Sequence, residues 1–163
     1  MTKINSILKN SAFLLALTIL GGSVVRAASE RNVPEYNLQS GMGLKGYDPV
    51  AVFPEGGGQS TLGNPQLHLD YMGVVYSFAS PEHMAMFEQN PAKYEPTYGG
   101  WCAYAMSSGS KVDIQPQLFT IHGNRAHYFV GARAKQNFDR ELADHESKAD
   151  ANWKQISGED PRF

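Results

Sequence analysis

Alternating apolar and polar residues predict two β-hairpins in this chain. Apolar residues occupy every second position over residues 67–71, and the alternation resumes over residues 74–78 after the turn-forming pair Met72-Gly73. A second run, residues 118–130, shows the same period and turns at Gly123-Asn124. The sequence therefore predicts a small antiparallel sheet built from hairpins.

Helical spacing and helix-boundary residues predict three helices around these hairpins. Ser80-Pro81 begins a helix of about two turns that ends at Asn90-Pro91. A shorter helix follows Gly99-Gly100 and ends at Gly109. Apolar residues at helical spacing over residues 134–156 predict one long amphipathic helix that packs on the sheet, so the expected class is α+β.

The remaining segments lack a clear period. Residues 28–43 mix polar residues with Gly and Pro, which predicts a flexible arm before a domain at residues 44–156 and a tail at residues 157–163. At the start of the domain, residues 46–53 (GYDPVAVF) predict a turn and then a short buried strand. A flexible loop is expected over residues 54–66.

The first 27 residues have the pattern of an export signal. Lys3 and Lys9 precede an uncharged apolar run over residues 11–25, and Val25-Arg26-Ala27 fits the small-residue rule for cleavage. The run is shorter than the roughly 20 apolar residues that a membrane anchor needs. The sequence predicts a cleaved signal peptide over residues 1–27, a periplasmic or secreted protein, and no stable membrane insertion after cleavage.

The charge balance argues against a nucleic-acid partner. The chain has 14 Lys and Arg residues, 16 Asp and Glu residues and a net charge of -2. Cleavage would remove Lys3, Lys9 and Arg26 and so make the net charge -5. Nucleic-acid surfaces need clustered Lys and Arg, which this composition does not provide.

Several phrases, in order over about residues 44–154, resemble one family, the exported bacterial YHS-domain proteins of the YHS/TRASH-like superfamily. The phrases are GYDPVAVF, YSFASPEHMAMFEQNPAKYEPTYGGWCAYAM, VDIQPQLFTIHGNRAHYF and ADANW. The resemblance implies a small α+β module, with metal binding by analogy to cysteine-rich sensors. In those sensors two cysteines begin the helix after the hairpin, whereas this chain has Ala79 and His83 there. A thiolate-rich site is therefore excluded.

Cys102, the single cysteine, is the central candidate for chemistry and cannot form an intramolecular disulfide. Its thiolate, the Met106 thioether and the His83 imidazole would suit copper, whereas a closed zinc site usually has four Cys, His or carboxylate ligands. Two alternatives remain open. Cys and Met at helical spacing commonly fill a core, and a thiol near a helix N-terminus can be reactive.

Aromatic residues suggest a different kind of site. Tyr47, Tyr98 and Trp101, together with Asp48, could line a pocket for a small apolar or aromatic ligand, although Tyr and Trp also form ordinary cores. Catalytic and cofactor-binding signatures are missing from the sequence, and no motif identifies a protein partner. The sequence thus supports two hypotheses: a non-enzymatic copper-binding protein, or a small-ligand or interaction module in which Cys102 is structural.

Overall fold

The computed structural model describes residues 31–162, which form the predicted α+β fold. The strands are β1 (Leu38–Gln39), β2 (Met42–Gly43), β3 (Asn64–Tyr71), β4 (Val74–Phe78), β5 (Gln115–His122) and β6 (Arg125–Phe129). The helices are α1 (Pro81–Gln89), α2 (Pro91–Tyr94), α3 (Ala103–Met106), α4 (Ala132–Arg140) and α5 (Leu142–Ser157). The predicted signal peptide lies outside the described residues. Among the described residues, no helix has the length and apolar character needed to span a membrane.

Both predicted hairpins are confirmed. Strands β3 and β4 pair antiparallel, as do β5 and β6, and each pair contains one register shift. Within residues 31–162 the strands form two sheets: one has the order β1-β2-β4-β3 and the other contains β5 and β6. The contact between β2 and β4 is parallel, at Met42 and Val75, so the first sheet is not purely antiparallel.

Residues 31–43 belong to this fold, so the prediction of a flexible arm is wrong for them. They supply β1 and β2, and the Asn37 N–H donates to the Gly99 carbonyl over 2.9 Å. Tyr36 is buried in the core, where its ring meets Trp153 edge to face. Strands of two residues are too short to show a period, which is why the sequence pattern does not reveal them.

The segment GYDPVAVF is buried as predicted but is not a strand. Residues 49–52 form consecutive turns, and the Asp48 carboxylate accepts hydrogen bonds from the Val50 and Ala51 N–H groups at 2.8 and 3.3 Å. The Phe53 N–H donates to the Val50 carbonyl at 3.0 Å. These short-range bonds keep the backbone folded on itself, so the apolar run packs as a turn instead of extending.

The helical elements largely follow their sequence signals. Ser80 caps α1, because its hydroxyl accepts a hydrogen bond from the His83 N–H at 3.2 Å. The predicted single C-terminal helix is instead divided at Glu141, whose φ of -130° and ψ of 48° are not helical. Phe138 before the break and Trp153 after it are both buried. The spacing of apolar residues therefore predicted which residues face the core. It did not predict the break in the helix at Glu141.

The two ends of the described chain meet at the buried Glu95. Arg31 and Arg162 each donate from Nε to the Glu95 carboxylate at 3.1 Å, and the Tyr76 hydroxyl lies 3.4 Å from it. Arg162 also pairs with the buried Glu159 at 2.7 Å. Residues 157–162, which were predicted as a tail, therefore belong to the domain. Their buried charges are paired with charges inside it, as buried charges generally must be.

Candidate functional site

An imidazole and a carboxylate from distant parts of the chain form the strongest candidate site. His83 lies in the first turn of α1, and Asp48 lies immediately before the turns at residues 49–52. The His83 Nδ1 atom is 2.6 Å from Asp48 Oδ2. The Asp48 side chain is fully buried, whereas 19% of the His83 side chain is exposed. The pair therefore connects the interior to the surface.

The surroundings of Asp48 fix the orientation of the His83 ring. The Asp48 Oδ2 atom accepts a second hydrogen bond, from the Ala79 N–H at 2.7 Å, while Oδ1 accepts from the Val50 N–H. An ionised carboxylate can accept hydrogen bonds but cannot donate them. When the His83 ring is neutral, its Nδ1 atom therefore carries the proton. The other ring nitrogen, Nε2, then carries a lone pair, and no hydrogen bond within residues 31–162 uses it.

Tyr128 adds an unsatisfied polar atom to the interior near Asp48. Its hydroxyl is buried and makes no hydrogen bond to any residue that the structure describes. Burial raises the pKa of Tyr128, and the negative charge of Asp48 raises it further. Both effects favour the neutral phenol.

Cys102 and Met106 lie in the hydrophobic core, and neither side chain has exposed surface. Cys102 precedes α3, and its N–H donates to the Val112 carbonyl at 2.9 Å. Its backbone also forms an isolated parallel bridge with Tyr128. Over the described range, no three His, Cys, Asp or Glu side chains form a group that could hold a metal ion, so Cys102, His83 and Asp48 do not form one.

The residues predicted to share a ligand pocket engage different parts of the fold. The Tyr47 hydroxyl accepts from Gln117 Nε2 at 2.5 Å, and Asp48 holds His83. The Tyr98 hydroxyl donates to Asp150 in α5 at 2.9 Å, and Trp101 Nε1 donates to the Glu35 carbonyl at 2.6 Å. Each of these hydrogen bonds thus connects two segments that are distant in the sequence.

A second polar cluster involves Glu146 on α5. The Glu146 carboxylate lies 2.9 Å from His127 Nε2, 2.9 Å from Arg125 Nη1 and 3.3 Å from His122 Nδ1. The hydrogen bond with His127 lowers the Glu146 pKa to about 2, and the charge of Arg125 adds to this effect. Burial lowers the pKa of His127, so this ring is neutral in the fold.

Sequence reasoning missed both carboxylate partners for a physical reason. Asp48 and His83 are 35 positions apart, and Glu146 is 19 positions from His127. Only tertiary folding brings such residues together. The one local signal for Asp48 is Asp48-Pro49, which predicts a turn but not a histidine partner.

Comparison of the chain with protein-family models, with curated proteins and with solved structures found no match.

Proposed function

We propose that this chain is an exported, non-enzymatic YHS-domain protein that binds copper, with His83 as the direct ligand and Asp48 as the residue that orients it. The observation that carries the proposal is the 2.6 Å contact between His83 Nδ1 and the fully buried Asp48 carboxylate. Histidines that bind metals typically donate their second ring N–H to a carboxylate, which fixes the ring and increases the basicity of the ligand nitrogen.

The choice of copper rests on the order of affinities of the divalent metal ions. Imidazole nitrogen suits several first-row metals, and among the divalent ions of that row Cu²⁺ forms the strongest complexes. The burial of Cys102 and Met106 supports a packing role for both sulfur atoms. Of the three metal-site residues predicted from the sequence, the proposal therefore retains only His83. It favours Cu²⁺ over Cu⁺.

The test is an equilibrium titration of Cu²⁺ into the mature protein, against a competing chelator. His83→Gln removes the imidazole, and His68→Gln is the matched control because His68 is an exposed histidine on β3. We expect His83→Gln to weaken copper binding at least about tenfold and His68→Gln to leave it unchanged. Asp48→Asn should weaken it by about tenfold with His83 still present.

Equal copper affinities for the wild type and His83→Gln would overturn the proposal. Thermal unfolding of each variant separates binding from structure, since His83 also holds α1 against the Asp48 turn and its loss lowers stability in either case.

The alternative is a small-ligand or protein-interaction module in which Cys102 is a core residue. The full burial of Cys102 favours it. This alternative predicts that His83→Gln changes stability without changing copper affinity, so the same titration distinguishes the two functions.

A further inference from the structure

Strand β5 lies at the edge of its sheet, and its outer side has no backbone partner among the described residues. The sheet contains β5 and β6 alone within residues 31–162. No backbone hydrogen bond joins residues 117–122 to any described segment except β6. An unpaired edge of this kind presents N–H and C=O groups on which another extended strand can pair.

The register of the hairpin shows which backbone groups face outward. His122 lies opposite Arg125 across the two-residue turn, and residues that flank such a turn exchange hydrogen bonds. Hydrogen-bonded and non-hydrogen-bonded positions alternate along an antiparallel strand, so Thr120 also bonds to β6. The N–H and C=O groups of Phe119 and Ile121 therefore point away from β6.

The second half of β5 lacks the features with which proteins usually prevent strand pairing. Edges are typically protected by charged side chains, prolines or bulges. On β5, Pro116 and a register shift between Gln115 and Phe119 disturb only the beginning of the strand. Residues 118–122 (LFTIH) contain no proline and no Lys, Arg, Asp or Glu, and residues 118–121 are half-buried. This part of the edge is thus able to pair.

Strand β3, at the edge of the other sheet, is protected in contrast. Pro65 has no N–H, and the Gln66 N–H donates to Asn64 Oδ1 at 3.0 Å. The Pro65 carbonyl lies 2.8 Å from His68 Nδ1. Asp70 adds an exposed charge near the end of the strand. The fold therefore protects this edge and leaves the edge of β5 open.

We propose that β5 pairs antiparallel with β5 of a second copy of this chain, about a twofold axis at Thr120. This register places Phe119 opposite the second copy's Ile121, and the two residues exchange the backbone hydrogen bonds that β6 does not use. Aromatic and β-branched residues opposite each other form a stabilising cross-strand pair, as do two threonines. The interface does not involve His83 or Asp48, so it goes beyond copper binding and does not depend on it.

The charges around Thr120 suit a second copy as the partner. Thr120 Oγ1 lies 2.7 Å from Asp139 Oδ1 and 2.8 Å from Lys135 Nζ, so an acid and a base of α4 both lie beside the proposed axis. A twofold axis reverses the direction of α4, and Lys135 therefore faces the second copy's Asp139. Because pairing over five residues buries a small area, we expect a weak dimer whose population rises with protein concentration.

Sedimentation velocity of the metal-free mature protein over a concentration series tests the proposal. We expect monomers at micromolar and dimers at millimolar concentration. Thr120→Lys places like charges directly opposite each other and should weaken self-association by at least about fivefold. Gln66→Lys is the matched control, because it adds the same charge to the protected edge strand β3 and should leave self-association unchanged.

A charge-swap measurement separates strand pairing from a loss of structure. Thr120→Glu should weaken self-association as Thr120→Lys does. A mixture of the two variants should associate as well as the wild type, because opposite charges then face each other across the axis. Circular dichroism verifies the fold of each variant. A wild type that stays monomeric at millimolar concentration, equal effects of Thr120→Lys and Gln66→Lys, or a mixture that does not associate would each overturn the proposal.

Discussion

Glu146 connects three basic side chains to α5, and its ionisation links the stability of the domain to pH. Because the hydrogen bond with His127 lowers the Glu146 pKa from 4.5 to about 2, the stabilisation is complete above pH 4.5 and is lost as the pH falls towards 2. Burial lowers the pKa of His127 below 6.5, so the unfolded chain binds this proton more readily. Both groups therefore make the protein less stable in acid.

The substitution Glu146→Gln tests this link. At pH 7 it should lower the free energy of unfolding by about 1–2 kcal/mol, a figure reduced for the partial exposure of the carboxylate. The difference from wild type should shrink as the pH approaches 2, where the native carboxylate becomes protonated. Urea unfolding at several pH values measures it, with Asp144→Asn, an exposed residue on the same helix, as the control.

If the free energies of unfolding of wild type and Glu146→Gln differed by the same amount from pH 7 to pH 2, this account of Glu146 would be refuted.

At the residue scale, the sequence identified His83 as a candidate and could not identify its role. The comparison with cysteine-rich sensors made His83 a candidate ligand beside Cys102. The structure instead pairs it with Asp48, which the sequence assigned to an aromatic ligand pocket. The residue types indicated that His83 and Asp48 could take part in a site. Their pairing across 35 positions depends on how α1 packs against the segment that contains Asp48.

Among the elements, the turn Thr97–Gly100 shows why the YGGWC motif needs its glycines. Tyr98, Gly99 and Gly100 all have positive φ values. A Cβ atom on Gly99 would lie 2.7 Å from a ring carbon of Trp153 and 3.2 Å from the Tyr36 Cα atom. The turn can therefore approach α5 closely only with glycine at this position.

Alanine substitutions at two glycines separate crowding from backbone strain. Gly99 and Gly123 have nearly equal φ values, 60° and 59°, but a Cβ atom on Gly123 would meet nothing within 4 Å. Gly123→Ala should cost about 1 kcal/mol of stability from the left-handed backbone alone. Gly99→Ala should cost about 3 kcal/mol, because overpacking against Trp153 is added. Chemical unfolding measures the free energy of unfolding of both variants. Equal losses in the two would show that the close approach of Gly99 to Trp153 does not affect stability.

Local patterns predicted some elements well and others poorly. The hairpins were predicted because alternation and turn residues are local properties of β3–β4 and β5–β6. The run at residues 50–53 was predicted as a strand because burial alone does not distinguish a packed turn from an extended segment. The break at Glu141 escaped prediction, since the apolar residues on both sides keep facing one core.

On the scale of the whole molecule, the buried Glu95 joins the first and last described segments to the sheet. Its carboxylate has no exposed surface and is paired with Arg31 and Arg162. Arg162 also neutralises Glu159, whose carboxylate accepts a hydrogen bond from the Tyr36 hydroxyl at 2.8 Å. Residues outside the predicted 44–156 domain are thus needed to balance charge inside it.

Removing one partner of this network should be costly. Arg162→Met leaves Glu159 without its guanidinium and Glu95 with one cation, so we expect a loss of about 3 kcal/mol in unfolding free energy. Lys154→Met, which removes an exposed pair with Asp160, should cost less than about 0.5 kcal/mol. Denaturant unfolding compares the two, and similar costs would contradict the role assigned to the buried network.

The central claim is that His83 binds copper while Cys102 packs the core, and a Cu²⁺ titration of Cys102→Ala beside the wild type tests it most directly. The account predicts the same copper affinity within about twofold and a loss of about 1–2 kcal/mol in stability, the cost of removing a small buried group. A tenfold or greater loss of copper affinity in Cys102→Ala would contradict it, because the thiol would then be a ligand.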